Sequence, residues 1–339
     1  MHSPSDPLGE FDLIQRFFKT GAQALKSNSS IALGIGDDCA LLRPTAGQEI
    51  AITSDMLVEG RHFLSGANPE LLGRKALAVN LSDLAAMGAN PLGFTLALAL
   101  PKVDSAWLEG FSKGLFSMAN EYSCSLIGGD TTAGPLNICI TAFGSIPIGK
   151  AIQRKGAKVG EDIWVSGELG DARLTLAALR HEVLLPDLDL KQIEHRMHQP
   201  TPRVELGIQL RGIASAALDI SDGLLGDLKH ILKESQVDAQ IFLDLLPKSA
   251  ILRKQSEALQ NEFAACGGDD YEICFIAPSD QRNVIEKLSS TLHLPFTRIG
   301  QITVMKNTEA SIVLVSADGK RMSDSDTKIL LKSFDHFAS

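Results

Sequence analysis

Five separated segments of the sequence place aspartates beside glycine or hydroxyl residues, where predicted strands and helices end. A single Asp in such a position is most often a helix N-cap or a turn residue. Recurrence in five segments is more than turns require, and it favours a site in which carboxylates bind several metal ions. The residues are Asp37 and Asp38 in GIGDDCA, Asp55 in TSD, Asp130 in IGGDTT, Asp219 and Asp222 in LDISDGL, and Asp269 and Asp270 in CGGDDYE.

Asp83 differs from these because it lies inside a predicted helix, within KALAVNLSDLAAMGA, where it has no capping role. Asn80 is three residues earlier and shares its helix face. The rest of this helix is mostly apolar, and burying an ionised Asp without a partner costs several kcal/mol. We therefore expect a cation at Asp83; the alternative is an edge position where the side chain faces water.

The types of side chain indicate which metal would bind. Aspartates together with the hydroxyls of Thr53 and Ser54, without a cluster of Cys or His, are hard oxygen donors. Such donors suit magnesium or manganese rather than zinc, and no segment matches the calcium-binding loop D-x-[DN]-x-[DN]-G. Magnesium held by few carboxylates usually shares its coordination shell with substrate phosphates. The sequence therefore favours a nucleotide-dependent phosphoryl-transfer enzyme.

Known nucleotide motifs do not account for such an enzyme. Gly144, Gly149 and Lys150 fit the spacing of a P-loop, but Ala151 replaces its metal-binding Ser or Thr, and Pro147 lies within it. GIGDDC lacks the third glycine of a dinucleotide fingerprint, and the kinase signatures H-R-D and D-F-G are missing. The letters GDD and GGDD also occur in polymerase palms, but those palms carry their acids on one hairpin, whereas here the acids are spread over five segments. The phosphate site must be built in another way.

Length and charge narrow the class of protein. The 339 residues exceed what one hydrophobic core usually serves, so two domains are expected, with one large α/β domain as the alternative. Acidic residues outnumber basic ones by 41 to 32, for a net charge of −9. This balance, without a Lys or Arg run, argues against a nucleic-acid partner. An acidic protein that binds an anionic substrate needs metal cations between the two.

Cysteine usage and the N-terminus indicate the compartment. Five cysteines, an odd number without a C-x-x-C pair, suggest neither a disulfide framework nor a zinc site. The start MHSPSDPLGEFDL lacks the basic region and apolar run of a signal peptide. Polar, Gly and Pro residues interrupt the longest apolar stretch, Leu77 to Pro101, before it could span a bilayer. We expect a reduced, cytoplasmic protein without membrane segments.

Predicted helices and strands must position the acidic residues. The apolar spacing predicts a helix over Glu10 to Leu25 and a strand from Ile50 to Thr53, whose end carries Ser54 and Asp55. Asn68-Pro69-Glu70 starts, and Gly88 with Asn90-Pro91 stops, the helix that contains Asp83. Strands and helices alternate on both sides of a Gly- and Lys-rich segment at 149–161, which predicts two α/β domains, 1–152 and 153–339.

The ordered motifs resemble a known family, the thiamine-monophosphate kinases. These belong to the superfamily that includes aminoimidazole ribonucleotide synthetase and selenophosphate synthetase. The resemblance spans nearly the whole chain and rests on GIGDDCALL, TSDMLVEGRHF, KALAVNLSDLAAMGANP, LIGGDTTAGP, RKGAKVGEDIWVSGELGD, LDISDGL, GGDDYE and the terminal DHF. It implies ATP-dependent phosphorylation of thiamine monophosphate to thiamine diphosphate, by direct in-line transfer with several Mg2+ ions.

The resemblance also implies roles for individual residues. The implied metal ligands are Asp38, Thr53, Ser54, Asp55, Asp83, Asp130, Asp219 and Asp222. The implied ATP contacts are Gly129, Asp130, Arg154 and Ser221, and the residues that carry catalysis are Asp55, Asp83, Asp130 and Arg154. The implied substrate contacts are His62, Asp269 and Phe334. The residues alone favour a surface histidine at His62 and a core aromatic at Phe334, and only the resemblance reverses this.

Two positions depart from the family pattern. Asp269 stands where GGEDY of similar proteins has Glu, so the side chain keeps its charge but is one methylene shorter. A direct hydrogen bond to the substrate could then become water-mediated. Phe334 occupies a position where family members carry various aromatics, and it can stack but has no hydrogen-bond donor.

The fold implied by the resemblance is a two-domain, aminoimidazole ribonucleotide synthetase-like α/β protein. Its N-terminal domains would pair across a twofold axis into a β-barrel between subunits, which makes a homodimer the expected species. Two other functions stay open at this point. One is another ATP-dependent synthetase of the superfamily, and the other is a sensor that binds metal or nucleotide without turnover.

Overall fold

The chain divides into two compact units in a computed structural model that describes residues 10–23, 29–316, 319–323 and 330. Unit 1 comprises residues 1–84 and 89–149, and unit 2 comprises residues 85–88 and 150–339. Both units contain a β-sheet with helices, as the α/β pattern predicts. Within the described residues, no helix combines the length and the apolar composition needed to cross a membrane.

The sheet of unit 1 has the strand order β3-β6-β4-β5. The strands of this unit are β1 (Ile31–Leu33), β2 (Leu41–Leu42), β3 (Gln48–Val58), β4 (Asn90–Leu100), β5 (Ser125–Ala133) and β6 (Asn137–Pro147). β3 and β6 pair antiparallel without a break, from Gln48 opposite Pro147 to Val58 opposite Asn137. β6 is also antiparallel to β4, and β4 is parallel to β5. β3 and β5 are therefore the two edges of this sheet.

The helices of unit 1 are α1 (Glu10–Leu13), a π-helical segment (Ile14–Lys19), α2 (Thr20–Gln23), α3 (Pro69–Ala86) and α4 (Ser105–Glu121). One of them, α3, begins at the residue that its capping signal predicts. Asn68 Oδ1 accepts hydrogen bonds from the amides of Glu70 and Leu71, at 2.9 and 3.3 Å, so Asn68 is the N-cap of α3. Gly114 of α4 lies so close to α3 that a Cβ there would be 1.8 Å from the Glu70 carbonyl oxygen. The two helices thus touch backbone to backbone.

The two faces of this sheet differ in exposure. One face is buried and includes Phe94, Leu96 and Ile140. The other face is open, and its residues Ile52 and Met56 are 64% and 53% exposed. An antiparallel sheet commonly has one solvated face, but that face is usually polar. Here the open face carries exposed apolar side chains next to polar ones such as Ser54.

Unit 2 contains a larger mixed sheet with the strand order β12-β9-β11-β7-β10-β8. Its strands are β7 (Asp162–Ser166), β8 (Ala216–Asp219), β9 (Asp238–Phe242), β10 (Ile273–Ala277), β11 (Phe296–Thr303) and β12 (Ile312–Val315). Its helices are α5 (Asp171–Leu179), α6 (Asp187–His198), α7 (Val204–Gln209), α8 (Leu224–Ser235), α9 (Glu257–Cys266) and α10 (Arg282–Leu292). β12 and β9 are parallel, and the other pairs are antiparallel. Aliphatic side chains from β7, β8, β10 and α8 form one buried core.

One predicted strand end is wrong. β3 does not stop at Thr53–Asp55 but continues to Val58, because β6 offers a hydrogen-bonding partner along its whole length. The alternation of burial also continues: Leu57 is buried, while Ser54 and Met56 are exposed. The Thr-Ser-Asp triplet therefore lies in the middle of a strand, on both of its faces.

Other predicted elements are confirmed, with differences at their ends. The helix predicted over Glu10 to Leu25 is present up to Gln23, with a π-helical middle, and its last two positions lie outside the described residues. The sequence prediction missed α6, α9 and β11.

Candidate active site

Thr53 and Asp83 meet in unit 1. Thr53 Oγ1 donates a hydrogen bond to Asp83 Oδ2, which joins the middle of β3 to α3. Asn80, one turn before Asp83, is fully buried; its Nδ2 donates to the Ala76 carbonyl, whereas its Oδ1 has no hydrogen-bond partner. Asp83 itself is half-buried. The expectation that α3 buries this face is confirmed for Asn80 and only in part for Asp83.

The pleat of β3 sorts the neighbouring residues between its two faces. Asp55 is two residues after Thr53 and so lies on the same face as Thr53. Ser54 lies on the open face, where its Oγ is 2.9 Å from Thr141 Oγ1 of β6. Thr53 and Asp55 therefore share a face with the contact to α3, and Ser54 does not.

Gly129 and Asp130 lie on β5, at the other edge of the same sheet. Two strands separate β5 from β3, which corresponds to about 14 Å between strand axes. Asp130 is exposed, pairs opposite Ala97 of β4, and accepts a 2.8 Å hydrogen bond from the Thr131 amide on its own strand. Gly129 and Asp130 are thus placed apart from the contact of Thr53 with Asp83.

The remaining predicted residues of unit 1 lie in loops. Asp38 is exposed, and its amide donates to Asp37 Oδ1 at 3.0 Å, so this pair forms a local turn. His62 is half-buried, and its Nδ1 accepts a 3.0 Å hydrogen bond from the Val58 amide, which orients the ring against the end of β3. This hydrogen bond fixes the loop that carries the EGRHF motif.

No ready-made cation cage is present among the described residues: three or more His, Cys, Asp or Glu side chains do not come together in any group there. Thr53 and Asp83, which do meet, and the nearby helix residue Asn80 nevertheless carry oxygen donors. The Thr53 hydroxyl, the Asp83 carboxylate and the unpartnered Asn80 Oδ1 are of the type that Mg2+ takes, and Mg2+ is commonly bound by one or two carboxylates plus substrate phosphates. The residues on this face therefore fit a hard divalent cation.

In unit 2, the segments LDISDGL and GGDDYE lie side by side. The Asp269 amide donates to the Ser221 carbonyl, the Tyr271 amide to the Ile220 carbonyl, and the Ile220 amide to the Glu272 carbonyl, each at 2.8 Å. These hydrogen bonds bring Ser221, Asp222 and Asp269 into one pair of adjoining loops. Asp219 ends β8 directly before them and is buried.

Asp227 supports the first of these loops. It is buried in the first turn of α8, and its Oδ2 accepts hydrogen bonds from the amides of Ser221 and Asp222, both at 3.0 Å. Burial raises the pKa of Asp227 to about 7, although the two amide donors oppose this. Sequence reasoning missed Asp227; its signal is an Asp just inside a helix that follows Gly223.

Arg154 belongs to the same region of unit 2. Its side chain is exposed, and its carbonyl accepts a 3.2 Å hydrogen bond from Ser235 Oγ at the end of α8. The pKa of His230 on α8 is lowered first by its burial and then by the positive charge of Arg154. Unit 2 thus places Arg154 near the helix that supports the Ser221 loop.

The two acids that follow Asp269 have buried, structural contacts. Both oxygens of Asp270 accept from the Gly170 amide, at 3.0 and 3.1 Å. Burial raises the pKa of Asp270 well above its usual value. Glu272 is fully buried and accepts from Ser166 Oγ, Arg196 and Arg203. The acid cluster of GGDDYE is therefore divided, with Asp269 half-exposed and the other two inside the unit.

The last predicted substrate contact, Phe334, lies outside the described residues.

Comparison with known proteins identifies the fold. Residues 36–146 match the family model of the AIR synthase related protein N-terminal domain, and residues 158–313 match that of the C-terminal domain. The crystal structure of thiamine-monophosphate kinase from Stenotrophomonas maltophilia is 43% identical, with a TM-score of 0.82 over 94% of this chain and 99% of that one. The two-domain AIR synthase-like α/β fold is therefore confirmed.

Curated relatives with similar sequences are also thiamine-monophosphate kinases. Thiamine-monophosphate kinase of Escherichia coli is 44% identical over 98% of this chain and 99% of its own length. The same enzyme of Salmonella typhimurium is 47% identical over 87% and 90%. The AaThiL complex with AMPPCP and TMP is 29% identical, with a TM-score of 0.74 over 99% of this chain.

The fold and the two family models define the class: the chain is related to AIR synthase. Within this class, the extent and identity of the matches are decisive: the chain belongs to the thiamine-monophosphate kinase family.

Proposed function

We propose that this chain transfers the γ-phosphoryl group of ATP to thiamine monophosphate and so produces thiamine diphosphate. The observation that carries the proposal is the match to AaThiL, which is complexed with the ATP analogue AMPPCP and with TMP and aligns with 99% of this chain. Curated relatives at 44–47% identity carry the name of this kinase. Family and ligand pair therefore agree on the reaction.

The acceptor already carries a phosphate that is largely ionised at neutral pH, so no side chain has to deprotonate it. The main obstacle is the repulsion between this phosphate and the phosphates of ATP. When bound, Mg2+ ions screen that repulsion and stabilise the charge that spreads over the transferred group. The residues proposed to hold these ions are Asp38, Thr53, Ser54, Asp55, Asp83, Asp130, Asp219 and Asp222.

The other proposed roles concern ATP and the acceptor. Gly129, Asp130, Arg154 and Ser221 would contact ATP, and the charge of Arg154 would help to hold its phosphates. His62 and Asp269 would contact thiamine monophosphate, together with Phe334. In this division, residues 1–152 supply the metal and ATP site and dimerisation, and residues 153–339 complete the phosphate and substrate site. Catalysis would rest on positioning and charge, through Asp55, Asp83, Asp130 and Arg154.

We also propose a cytoplasmic homodimer in which the open faces and edges of two unit 1 sheets close a β-barrel. The support is the exposed apolar surface around Ile52 and Met56. Ile52→Lys should convert a dimer to a monomer in sedimentation velocity. Ile148→Lys is the matched control, since Ile148 is equally exposed at 64% but lies beyond the end of β6. A wild-type monomer, or an Ile52→Lys dimer, would contradict this arrangement.

The reaction is tested by ADP release from ATP and Mg2+ with thiamine monophosphate, free thiamine or no acceptor. Stimulation by the monophosphate alone, with thiamine diphosphate as product, is the expected result. ADP release that ignores this acceptor would indicate another synthetase of the superfamily. Tight nucleotide binding without turnover would indicate a sensor. Either of these outcomes would overturn the proposed function.

A further inference from the structure

The loop that carries Asp269 has an unusual backbone. Asp269 and Tyr271 have φ values of 67° and 50°, in the left-handed region that residues other than glycine rarely adopt. The intervening Asp270 faces inward onto the Gly170 amide, and Tyr271 Oη donates a 3.1 Å hydrogen bond to Asp269 Oδ1. Such a conformation persists only where its surroundings impose it.

Glu272 is the residue where this loop enters the sheet. Its carboxylate is 0% exposed and accepts hydrogen bonds from Ser166 Oγ at 2.5 Å and Arg196 Nη2 at 2.7 Å. Arg203 donates to both of its oxygens, from Nε at 2.7 Å and from Nη2. Gly167 leaves room for this carboxylate, because a Cβ there would lie 2.2 Å from Glu272 Oε1.

The arginines reach Glu272 from the ends of two helices. Arg196 is in the last turn of α6, and Arg203 directly precedes α7. Their side chains are 14% and 16% exposed, so the ion pairs are largely desolvated. A buried ion pair of this type adds little stability compared with apolar residues of similar size. Its specific contribution is geometric, because a bidentate Arg fixes the position of a carboxylate.

Backbone hydrogen bonds link Glu272 directly to the candidate site. Its carbonyl accepts from the Ile220 amide, and the next amide, of Ile273, donates to Ser166 Oγ at 2.9 Å. Fixing Glu272 therefore fixes one end of the 269–272 segment against residues 220–221. Further constraints are the amide hydrogen bonds from Asp269 to Ser221 and from Tyr271 to Ile220, and the hydrogen bond between Asp270 and Gly170.

We propose that Glu272, held by Arg203 and Arg196, is a positioning residue that sets the backbone of the 269–272 segment so that Asp269 contacts the thiamine phosphate acceptor. The inference rests on the proposed function, because it assigns the acceptor to Asp269. In this role, Glu272, Arg196 and Arg203 act on the acceptor through the loop and not by their own contact with it.

The test uses the full chain and the variant Arg203→Lys, which keeps the charge but loses the bidentate geometry. Arg282→Lys is a matched control. Arg282 makes the same bidentate contact with the buried Asp162, with distances of 2.6 and 2.8 Å. Asp162 is at the start of β7, whereas Ser166, which contacts Glu272, is at its end. We expect Arg203→Lys to raise KM for thiamine monophosphate about tenfold, as for a weakened hydrogen bond to a charged group. KM for ATP and kcat should stay within about twofold, and Arg282→Lys should change neither KM.

A second measurement is independent of turnover. Amide hydrogen exchange of residues 269–273 should accelerate in Arg203→Lys but not in Arg282→Lys, because only the first loosens this loop. Asp269→Asn should raise KM for thiamine monophosphate, and combining it with Arg203→Lys should add little, since both act on one contact.

The outcomes distinguish the positioning role of Glu272 from the proposed function. An effect of Asp269→Asn on KM for thiamine monophosphate, without one of Arg203→Lys, would overturn the positioning role and leave the proposed function intact. Equal losses in Arg203→Lys and Arg282→Lys would also overturn it, because they would show a general loss of stability. Failure of the wild-type chain to use thiamine monophosphate would overturn the proposed function, and the positioning role with it, even where the exchange result matches.

Discussion

The predicted site residues are held in different ways in the two units. In unit 1, Thr53, Asp55 and Asp83 lie on a long strand and a helix, and their positions follow from the pleat of β3 and the contact to α3. In unit 2, Ser221 and Asp269 lie in loops that are held by hydrogen bonds to buried carboxylates, those of Asp227 and Asp270. Regular elements position a side chain without further help, whereas loops require buried polar supports. Substitutions should therefore affect activity alone in unit 1, and stability as well as activity in unit 2.

The largest effect is expected at Asp83 in unit 1. Asp83→Asn keeps the size and an acceptor for Thr53, but it removes the charge proposed to hold a metal ion. We expect kcat at saturating Mg2+ to fall by roughly a hundredfold to a thousandfold, with an unchanged melting temperature. Asp55→Asn should behave similarly. Asp104→Asn is the control, because Asp104 only caps α4 through the Trp107 amide and Asn caps equally well. Near-normal turnover of Asp83→Asn would contradict the assignment.

Asp227 supports the Ser221 loop in unit 2, and its substitution should reduce both stability and activity. Asp227→Ala leaves the amides of Ser221 and Asp222 without their acceptor, which should lower the free energy of unfolding by about 2 kcal/mol. KM for ATP should rise as well, because Ser221 is a proposed ATP contact. Asp227→Asn keeps an acceptor, so its free energy of unfolding should fall less and its KM for ATP should rise less. Chemical denaturation of unit 2 and steady-state kinetics provide the measurements, and a stable Asp227→Ala variant would mean that the loop does not need this support.

A pH-dependent effect is expected at Asp171, another buried acid of unit 2. Burial raises its pKa to about 6, against a hydrogen bond from Ser249 and the nearby charge of Arg196, and the repulsion of Glu168 adds to the rise. Because the folded pKa lies above the unfolded one, the favourable contribution is complete below pH 3.8 and is lost as the pH rises through about 6.

Asp171→Asn removes this titration. Its stability relative to wild type should therefore increase by about 1 kcal/mol between pH 5 and pH 8. Thermal unfolding at the two pH values measures the difference. A difference that is constant with pH would show that Asp171 does not titrate in this range.

The smallest effect is expected at the surface of unit 1. Arg16 and Glu109 form a 2.9 Å ion pair, but their side chains are 54% and 61% exposed. Arg16→Gln should change the free energy of unfolding by less than about 0.5 kcal/mol, and this change should vanish in high salt. A larger, salt-independent loss would point to the contact of Arg16 with the ring of Phe17, at 5.0 Å, instead of the ion pair.

Strong local signals account for the parts of the fold that the sequence predicts. Asn68-Pro69 and Gly88 bracket α3 because capping and helix termination depend on neighbouring residues only. The end of β3 was mispredicted because the partner that extends it, β6, is about 85 residues further along the chain. Long-range pairing of this kind leaves no local signal in the Thr-Ser-Asp triplet.

The same distinction applies to the candidate site. Asp83 is detectable because a charge inside an apolar helix is unusual, and the same logic would have selected Glu272 at the start of YEICFIA. The partners of Glu272 could not be predicted, because Arg196 and Arg203 are about 70 residues earlier in the chain and no local pattern links them to Glu272. The roles that rest on the family resemblance, such as those of His62 and Asp130, stay predictions.

The strand order of unit 2 has a consequence for how the chain is made. No two neighbouring strands in β12-β9-β11-β7-β10-β8 are consecutive in sequence, and β7 pairs only with strands more than a hundred residues later. During synthesis, β7 leaves the ribosome long before β10 and β11 exist, and its buried apolar face must wait for them. Unit 1 can complete its sheet by residue 147, whereas closure of unit 2 needs nearly the whole chain. Its refolding should therefore be the slower step and the one most open to aggregation.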